Sequence, residues 1–496
     1  MLLKPNSRYP IGHSIVRASI PPGTLLYHGR GDSGYPYMDW LALDPEHSRI
    51  FARGENGTLF TFSTTRELKL LYFDGCSANK VGGVTDVQDL LVWGDADHDS
   101  DRWDWQSELD RINDTCAWGK PYGVDGYVRM EFDFEIMYCN ISDGLQLVSA
   151  MPTVNGGGRP PPHGPESPGD DWKSAINFNP PVSPSHYYRA TSHGLHTPRE
   201  VGSHTGLRPL RSPPDPPEGW KGTWPVINNA IRHAGSWHND FPGDVRVHPD
   251  SSSMITFYDP ALTSLVVARR SMDRDDYRPG NIASVDMARV RADVAEMMAR
   301  GFAERSGVDW RGLARVIQER FGDRLPYLRY LLHQPLANVS EQVSAVRKQL
   351  IVSLSPYMQR PGVGEPEWFA QTAQNCATRF TAHLPVDKFT KQERVLRNAV
   401  DEVLHEICRV LTMAWTEAFG VEAQSLDIAG ALMEKWRAEV DTLIEWLDWP
   451  VWLKCYPACG VDEFCYIPQR GLPFDPDPDG DVDQTPRCIK IDSLWV

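Results

Sequence analysis

The chain has 496 residues, 41% of them hydrophobic, with 50 Lys and Arg against 66 Asp and Glu, for a formal net charge of -16. Length and apolar content support roughly two to four domains with true cores and exclude a globally disordered chain. The acidic balance, without any Lys/Arg block, excludes nucleic-acid binding by counterion release as a main activity, and no run of about 18 apolar residues is present to span a membrane.

Residues 1–151 read as an α+β domain built on a mixed sheet. Apolar runs at Thr24 to His28, Leu59 to Ser63, Leu68 to Phe73 and Phe134 to Cys139 are strand-length and punctuated by Gly, Pro and Asp. Between them, Trp40 to Ala52 reads as a strand running into a helix, and Trp93 to Trp105 interleaves acids with aromatics. Asp95, Asp97 and Asp99 have the alternate spacing of a calcium loop, but Ser100 stands where such a loop needs its turn glycine.

From 152 to 220 the composition turns to Pro, Gly and Ser with few apolar residues, which predicts an extended linker. His193, His196 and His204 fall in it without cysteine partners and read as exposed rather than metal-binding, so no metal site is expected. Residues 221–450 begin with short β-like stretches at Ser253 to Tyr258 and Ser264 to Ala268, then become mostly helical. Three stripes mark this part: Val290, Val294, Met297, Met298 and Phe302; Leu396, Val400, Val403, Leu404, Ile407 and Leu411; and Leu432, Trp436, Val440, Leu443 and Leu447. The tail, 451–496, holds Cys455, Cys459, Cys465 and Cys488 among prolines, glycines and aspartates. So polar a segment needs a staple, and only Cys455 and Cys459 have zinc-knuckle spacing, so two disulfides are expected, with three pairings open. The odd total of nine cysteines leaves one thiol over, with Cys116 or Cys408 as candidates.

The informative residues for function lie in the first 151. Tyr27-His28-Gly29-Arg30 follows an apolar strand, Trp40 opens a strand-to-helix passage, Phe62-Ser63-Thr64 ends another strand, and Asp125-Gly126-Tyr127 leads to Phe134-Glu135-Ile136. This order resembles the catalytic fold of ADP-ribosyltransferases, in particular the diphtheria-toxin and poly(ADP-ribose) polymerase branch. The resemblance implies NAD as substrate, with His28 on a ribose and Gly29 gripping the carboxamide through its backbone. It further implies an aromatic, Trp40 or Phe51, stacked on nicotinamide, and Glu135 as the catalytic carboxylate. In the arginine-containing branch, which Ser63 resembles, Arg30 would grip NAD instead. The acceptor of the ADP-ribose is left open.

The chemistry can be stated without the family. Breaking the C–N glycosidic bond of NAD develops an oxocarbenium ion that a nearby carboxylate stabilises, a flat aromatic stacks on the leaving ring, and a glycine lets the backbone approach it. Against this stands a plain expectation from strand alternation: Phe134 and Ile136 point inward, and Glu131, Asp133 and Glu135 share a solvated face. Two other functional readings compete. Glu131 or Glu135 with Asp104 could form the carboxylate pair of a glycoside hydrolase, or the chain could be a non-catalytic secreted interaction protein. Gly29-Arg30-Gly31-Asp32-Ser33-Gly34 matches a dinucleotide fingerprint but runs into Tyr35-Pro36 rather than opening a helix.

Four Asn-x-Ser/Thr sequons, at Asn56, Asn113, Asn140 and Asn338, favour the secretory pathway together with the cysteine-dense tail. The segment from Met1 to Ser19 lacks an apolar core of signal-peptide length, which implies either a truncated start or coincidental sequons and a cytoplasmic location.

Overall fold

The computed structural model describes residues 8–153, 243–467 and 485–490, apart from 53, 55, 80–81, 97–104, 131–132, 302–303, 335–338 and 420–425. Nearly all of the expected linker, its three histidines, Asp97, Asp99, Ser100, Asp104, Glu131, Phe302 and Asn338 therefore lie outside the described residues. The fold is α+β, a curled mixed sheet followed by a mostly helical part and a disulfide-bonded tail.

The sheet comprises β1 (Ser14–Ile20), β2 (Leu25–Arg30), β3 (Asp39–Ala42), β4 (Thr58–Thr64), β5 (Leu68–Phe73), β6 (Gly126–Met130), β7 (Phe134–Tyr138), β8 (Leu145–Pro152), β9 (His248–Pro249) and β10 (Ile255–Thr256). Its order is β10-β1-β5-β6-β7-β3-β2-β4-β8, with β9 also on β1. Every pair is antiparallel except β5 with β6. A parallel pair needs a crossover, and helices α2 (Asp86–Val92) and α3 (Trp105–Gly119) supply it. They cover one face of the sheet, which explains why β5 and β6, apart from Lys69, are buried on both sides rather than alternating. Ile15, Leu71, Phe73, Tyr127 and Met137 pack on that helical side, while Val16, Leu26, Phe60, Phe62, Tyr72, Val128 and Ile136 fill the inside of the curl.

The chain comes back to this sheet after the undescribed stretch. β9 and β10 pair with β1, and helices α4 (Thr263–Arg269) and α5 (Ser284–Ala299) follow. α5 buries Met287, Val290, Val294 and Met297 against the helical-side core, the stripe read from sequence. The first unit thus extends past 220 and includes residues up to about 300, later than the boundary composition suggested. Arg17 explains the attachment. This buried guanidinium on β1 donates to Asp250 Oδ2 at 2.9 Å and to the carbonyls of Met297 and Arg300 at 3.2 and 2.7 Å. Burial lowers its pKa, and Asp250 opposes the shift.

Ser264 to Ala268, read as β-like, is helical. Short apolar runs carry no decisive period. Here Ser264 docks through its N–H and hydroxyl on Asp286 at 2.8 and 2.7 Å, Leu265 turns inward, and Val267 is 61% exposed.

Helices α6 (Trp310–Phe321), α7 (Arg324–His333), α8 (Val339–Leu354), α9 (Pro366–Thr378), α10 (Lys391–Phe419) and α11 (Leu426–Leu447) enclose a second core. The stripes on α10 and α11 supply Leu404, Ile407, Leu411, Trp436, Val440 and Leu443 to it. α10 opens with a capping box: Glu393 N–H donates to Thr390 Oγ1 at 3.1 Å, and Thr390 N–H donates to Glu393 Oε2 at 2.8 Å. Among the described residues, no helix is long and apolar enough to cross a membrane.

The tail forms a hairpin of β11 (Glu463–Tyr466) and β12 (Arg487–Lys490), with disulfides Cys455–Cys465 and Cys459–Cys488. The thiol left over is neither of the two expected. Cys116 on α3 bonds Cys139 just after β7, and Cys376 on α9 bonds Cys408 on α10, leaving Cys76, which is buried, outside the disulfides. These partners are distant in sequence but meet where helix packs on strand or helix on helix.

Replacing Asp250 by Asn keeps the shape but strips the countercharge from buried Arg17. Equilibrium denaturation should report a loss of about 3–5 kcal/mol; an unchanged midpoint would show that Arg17 does not hold the returning segment.

Candidate active site

A cleft of about 650 Å³ opens where β2, β3 and β7 meet helix α1 (Pro45–Arg49) and α3. Its lining includes His28, Gly29, Arg30, Trp40, Phe51 and Glu135, so six of the seven residues named from sequence for the NAD reading come together. Ser63 does not join them. It sits on β4 opposite Leu25, three positions along the ladder from Phe60, which faces His28.

Gly29 is required by packing. A Cβ there would stand 1.8 Å from the Ser48 carbonyl oxygen, because α1 crosses directly over β2. That approach brings His47, Ser48 and Phe51 to the cleft. Phe51 is 50% exposed there, whereas Trp40 is half-buried and packs toward the helical-side core. Of the two aromatics, Phe51 offers the freer face for a planar ligand.

Glu135 is not on a solvated face. Its side chain is 12% exposed, packed on Arg129 where Glu108 of α3 also arrives, and Asp133 is fully buried beside Asp44 and Asp244. Glu135 Oε1 accepts from Arg129 Nη2 at 2.5 Å and Nε at 2.9 Å. Arg129, fully buried on β6 directly across from Glu135, also donates through Nη2 to Glu108 Oε2 at 2.9 Å. Gln88 from α2 approaches Nη1 at 3.4 Å. Burial works against the guanidinium charge, but Glu108 and Glu135 outweigh it and raise the pKa. Sequence reading missed both Glu108 and Arg129. The available signal was an arginine inside the apolar run Tyr127-Val128-Arg129-Met130, paired across a short turn with a glutamate.

At the opposite wall, His28 Nδ1 lies 2.7 Å from the Trp40 carbonyl oxygen and Nε2 lies 3.3 Å from Asp39 Oδ2. Burial lowers the imidazole and raises the Asp39 carboxyl, each opposed by the other's charge. Arg30 is tied to Asp32 at 2.8 Å, and Asp32 also accepts the Gly34 N–H at 2.7 Å. Near the cleft, Asp44, Asp133 and Asp244 bring one carboxylate oxygen each within 4.8 Å of one another. Burial, then the hydrogen bond with Asp133, pushes Asp44 up to about 7. Arg246 lies 2.5 Å from Asp244 and 3.6 Å from Asp44. Arg246 thus offsets part of the negative charge of this cluster.

Residues 52–157 match the sequence profile of a family described as the YPL277C N-terminal domain, a stretch that holds Glu108, Arg129 and Glu135 but not β2 or β3. The chain is similar to two Saccharomyces cerevisiae proteins, each described as uncharacterized. YOR389W is 23% identical over 544 residues, covering 94% of this chain and 79% of that protein. YPL277C is 31% identical over 197 residues, covering 30% of this chain and 40% of that protein. No solved structure matches.

Gly29→Ala should push α1 away from β2 and lower stability by about 1–3 kcal/mol, the usual range for overpacking. Urea denaturation measures this, and a variant as stable as wild type would disprove the close crossing.

Proposed function

We propose that the cleft takes NAD as its substrate and breaks the nicotinamide–ribose bond, passing ADP-ribose to an acceptor or to water. The observation that carries the reading is Glu135, sequestered at the cleft and oriented by two N–H groups of Arg129. Nicotinamide leaves as a neutral molecule, so the reaction needs no acid. What it needs is a fixed negative charge beside the developing oxocarbenium ion. Gly29 presents its backbone to the nicotinamide carboxamide, Phe51 or Trp40 stacks on its ring, His28 positions a ribose, and Arg30 faces the pyrophosphate once it leaves Asp32.

The glycoside-hydrolase alternative pairs Glu131 or Glu135 with Asp104, and Glu131 and Asp104 lie outside the described residues; with Glu108 as the partner of Glu135, it asks more of the cleft. One carboxyl must then hand a proton to the leaving oxygen. Glu108 and Glu135 both accept hydrogen bonds from the one guanidinium, an arrangement that suits carboxylates rather than a proton-donating acid. The chemistry of the cleft therefore favours NAD over a sugar. We also assign the protein to the secretory pathway, on the ground that four disulfides persist best in an oxidising compartment.

Glu135→Gln preserves shape and removes charge. Nicotinamide release from NAD by the folded variant should fall by about 10²–10³-fold, comparable to losing one electrostatic stabiliser. Its stability should fall too because buried Arg129 loses one of its two carboxylates, so rates are compared where circular dichroism shows the variant folded. His28→Ala should raise KM for NAD and lower kcat with it. Aryl glycoside turnover without nicotinamide release would transfer the assignment to a hydrolase, and silence of the folded wild type in both assays would favour a non-catalytic role.

A further inference from the structure

The His28 ring has one arrangement of protons open to it. Nδ1 lies 2.7 Å from a carbonyl oxygen, which can only accept, so Nδ1 carries the hydrogen. In the neutral ring, Nε2 is then a lone pair, and it stands 3.3 Å from Asp39 Oδ2. Asp39 cannot swing away freely, because its other oxygen accepts the Trp40 N–H at 3.0 Å. Lone pair against carboxylate is unfavourable until one proton enters between them and makes a hydrogen bond. Such a gap is a proton sink, and both residues line the cleft. The Asp39 side chain is 20% exposed, so the proton can afterwards pass to solvent.

Resting on the NAD reading above, we propose that Asp39 and His28 together form the base that takes the proton of a hydroxyl acceptor, water or an alcohol, as it attacks the ribosyl carbon. The bond from the ribosyl carbon to the nicotinamide nitrogen breaks with its electron pair going to that nitrogen. The acceptor oxygen forms the new C–O bond, and its proton passes to the gap between Nε2 and Oδ2. Atoms and charge balance without another reactant.

Charge selects the class of acceptor. Facing the cleft are Asp32 and Arg30 at the end of β2, Asp39 on β3, His47 on α1, Glu108 on α3, Arg129 on β6 and Glu135 on β7. Both arginines are already ion-paired to carboxylates of this set. A carboxylate acceptor would enter a field of its own sign and has no proton to surrender, leaving the base idle. A hydroxyl is neutral and must lose a proton.

The base works only with the gap empty, so the rate falls as pH drops through the apparent pKa of the pair. Burial lowers the imidazole and raises the Asp39 carboxyl, so the acid limb belongs to the pair rather than to either group.

The test measures nicotinamide release by the full-length protein from about pH 5 to 8, across the range where a perturbed histidine titrates, with methanol or agmatine as added acceptor. Wild type should show the acid limb and form methyl ADP-ribose. Asp39→Asn should lose the limb and about 10²-fold in kcat, with KM for NAD changed by no more than about twofold, and Asp39→Glu should keep the limb. An Asp39→Asn enzyme with wild-type kcat and pH profile, or one altered only in KM, overturns the proposal, as does transfer to agmatine in preference to methanol. Absence of release by wild type at every pH instead sinks the NAD reading on which the base depends.

Discussion

A guanidinium with no exposure to water must be neutralised where it stands, and Arg129 makes that demand at the centre of the sheet. Its position on β6 fixes Glu135 across the ladder, Glu108 above it on α3 and Gln88 on α2. Removing either carboxylate leaves a buried charge half-compensated. The need to satisfy Arg129 therefore dictates that α2 and α3 pack over β6 and β7, and their packing makes the parallel crossover from β5. Cys116–Cys139 holds the same contact covalently, tying α3 to the end of β7.

The other wall of the cleft follows from the absence of a side chain at Gly29. Because α1 lies on the backbone of β2, its residues reach the cleft from above while β3 presents Asp39 and Trp40 from the side. One wall thus holds a fixed negative group backed by a cation, and the other an imidazole with a carboxylate partner. Both are built on regular elements whose hydrogen bonds keep them in place. A bond cleavage that passes through a cationic sugar and ends with a released proton uses both kinds of group.

Much of this was legible in the sequence because it depends on local pattern. The strands at Leu68 to Phe73 and Phe134 to Tyr138 and the stripes on α5, α10 and α11 followed from periodicity and turn residues, while the grouping of His28, Gly29, Arg30, Trp40 and Glu135 came from the resemblance to ADP-ribosyltransferases. What escaped depends on pairing at a distance. Glu108 reads as one acid on a polar helix until α3 is laid over Arg129. Asp39 is one more loop-side aspartate until β3 sets it against His28. Strand alternation put Glu135 in water, since period two reports sides of a strand and not what covers them. Ser63 looked like a site residue because its neighbours carry a motif-like order, yet the β2–β4 register puts it beyond the cleft. Cys76 was passed over for Cys116 and Cys408 because disulfide partners are set by helix packing, not by spacing.

The most direct measurement is the crystal structure of the Glu135→Gln variant soaked with NAD, since a slowed enzyme holds its substrate intact. Nicotinamide should lie against Gly29 with Phe51 or Trp40 over its ring, and the adjoining ribose should contact residue 135 within hydrogen-bond distance. NAD bound elsewhere on the molecule, or a cleft that stays empty at saturating NAD, would contradict the assignment of this cleft as an NAD-cleaving site.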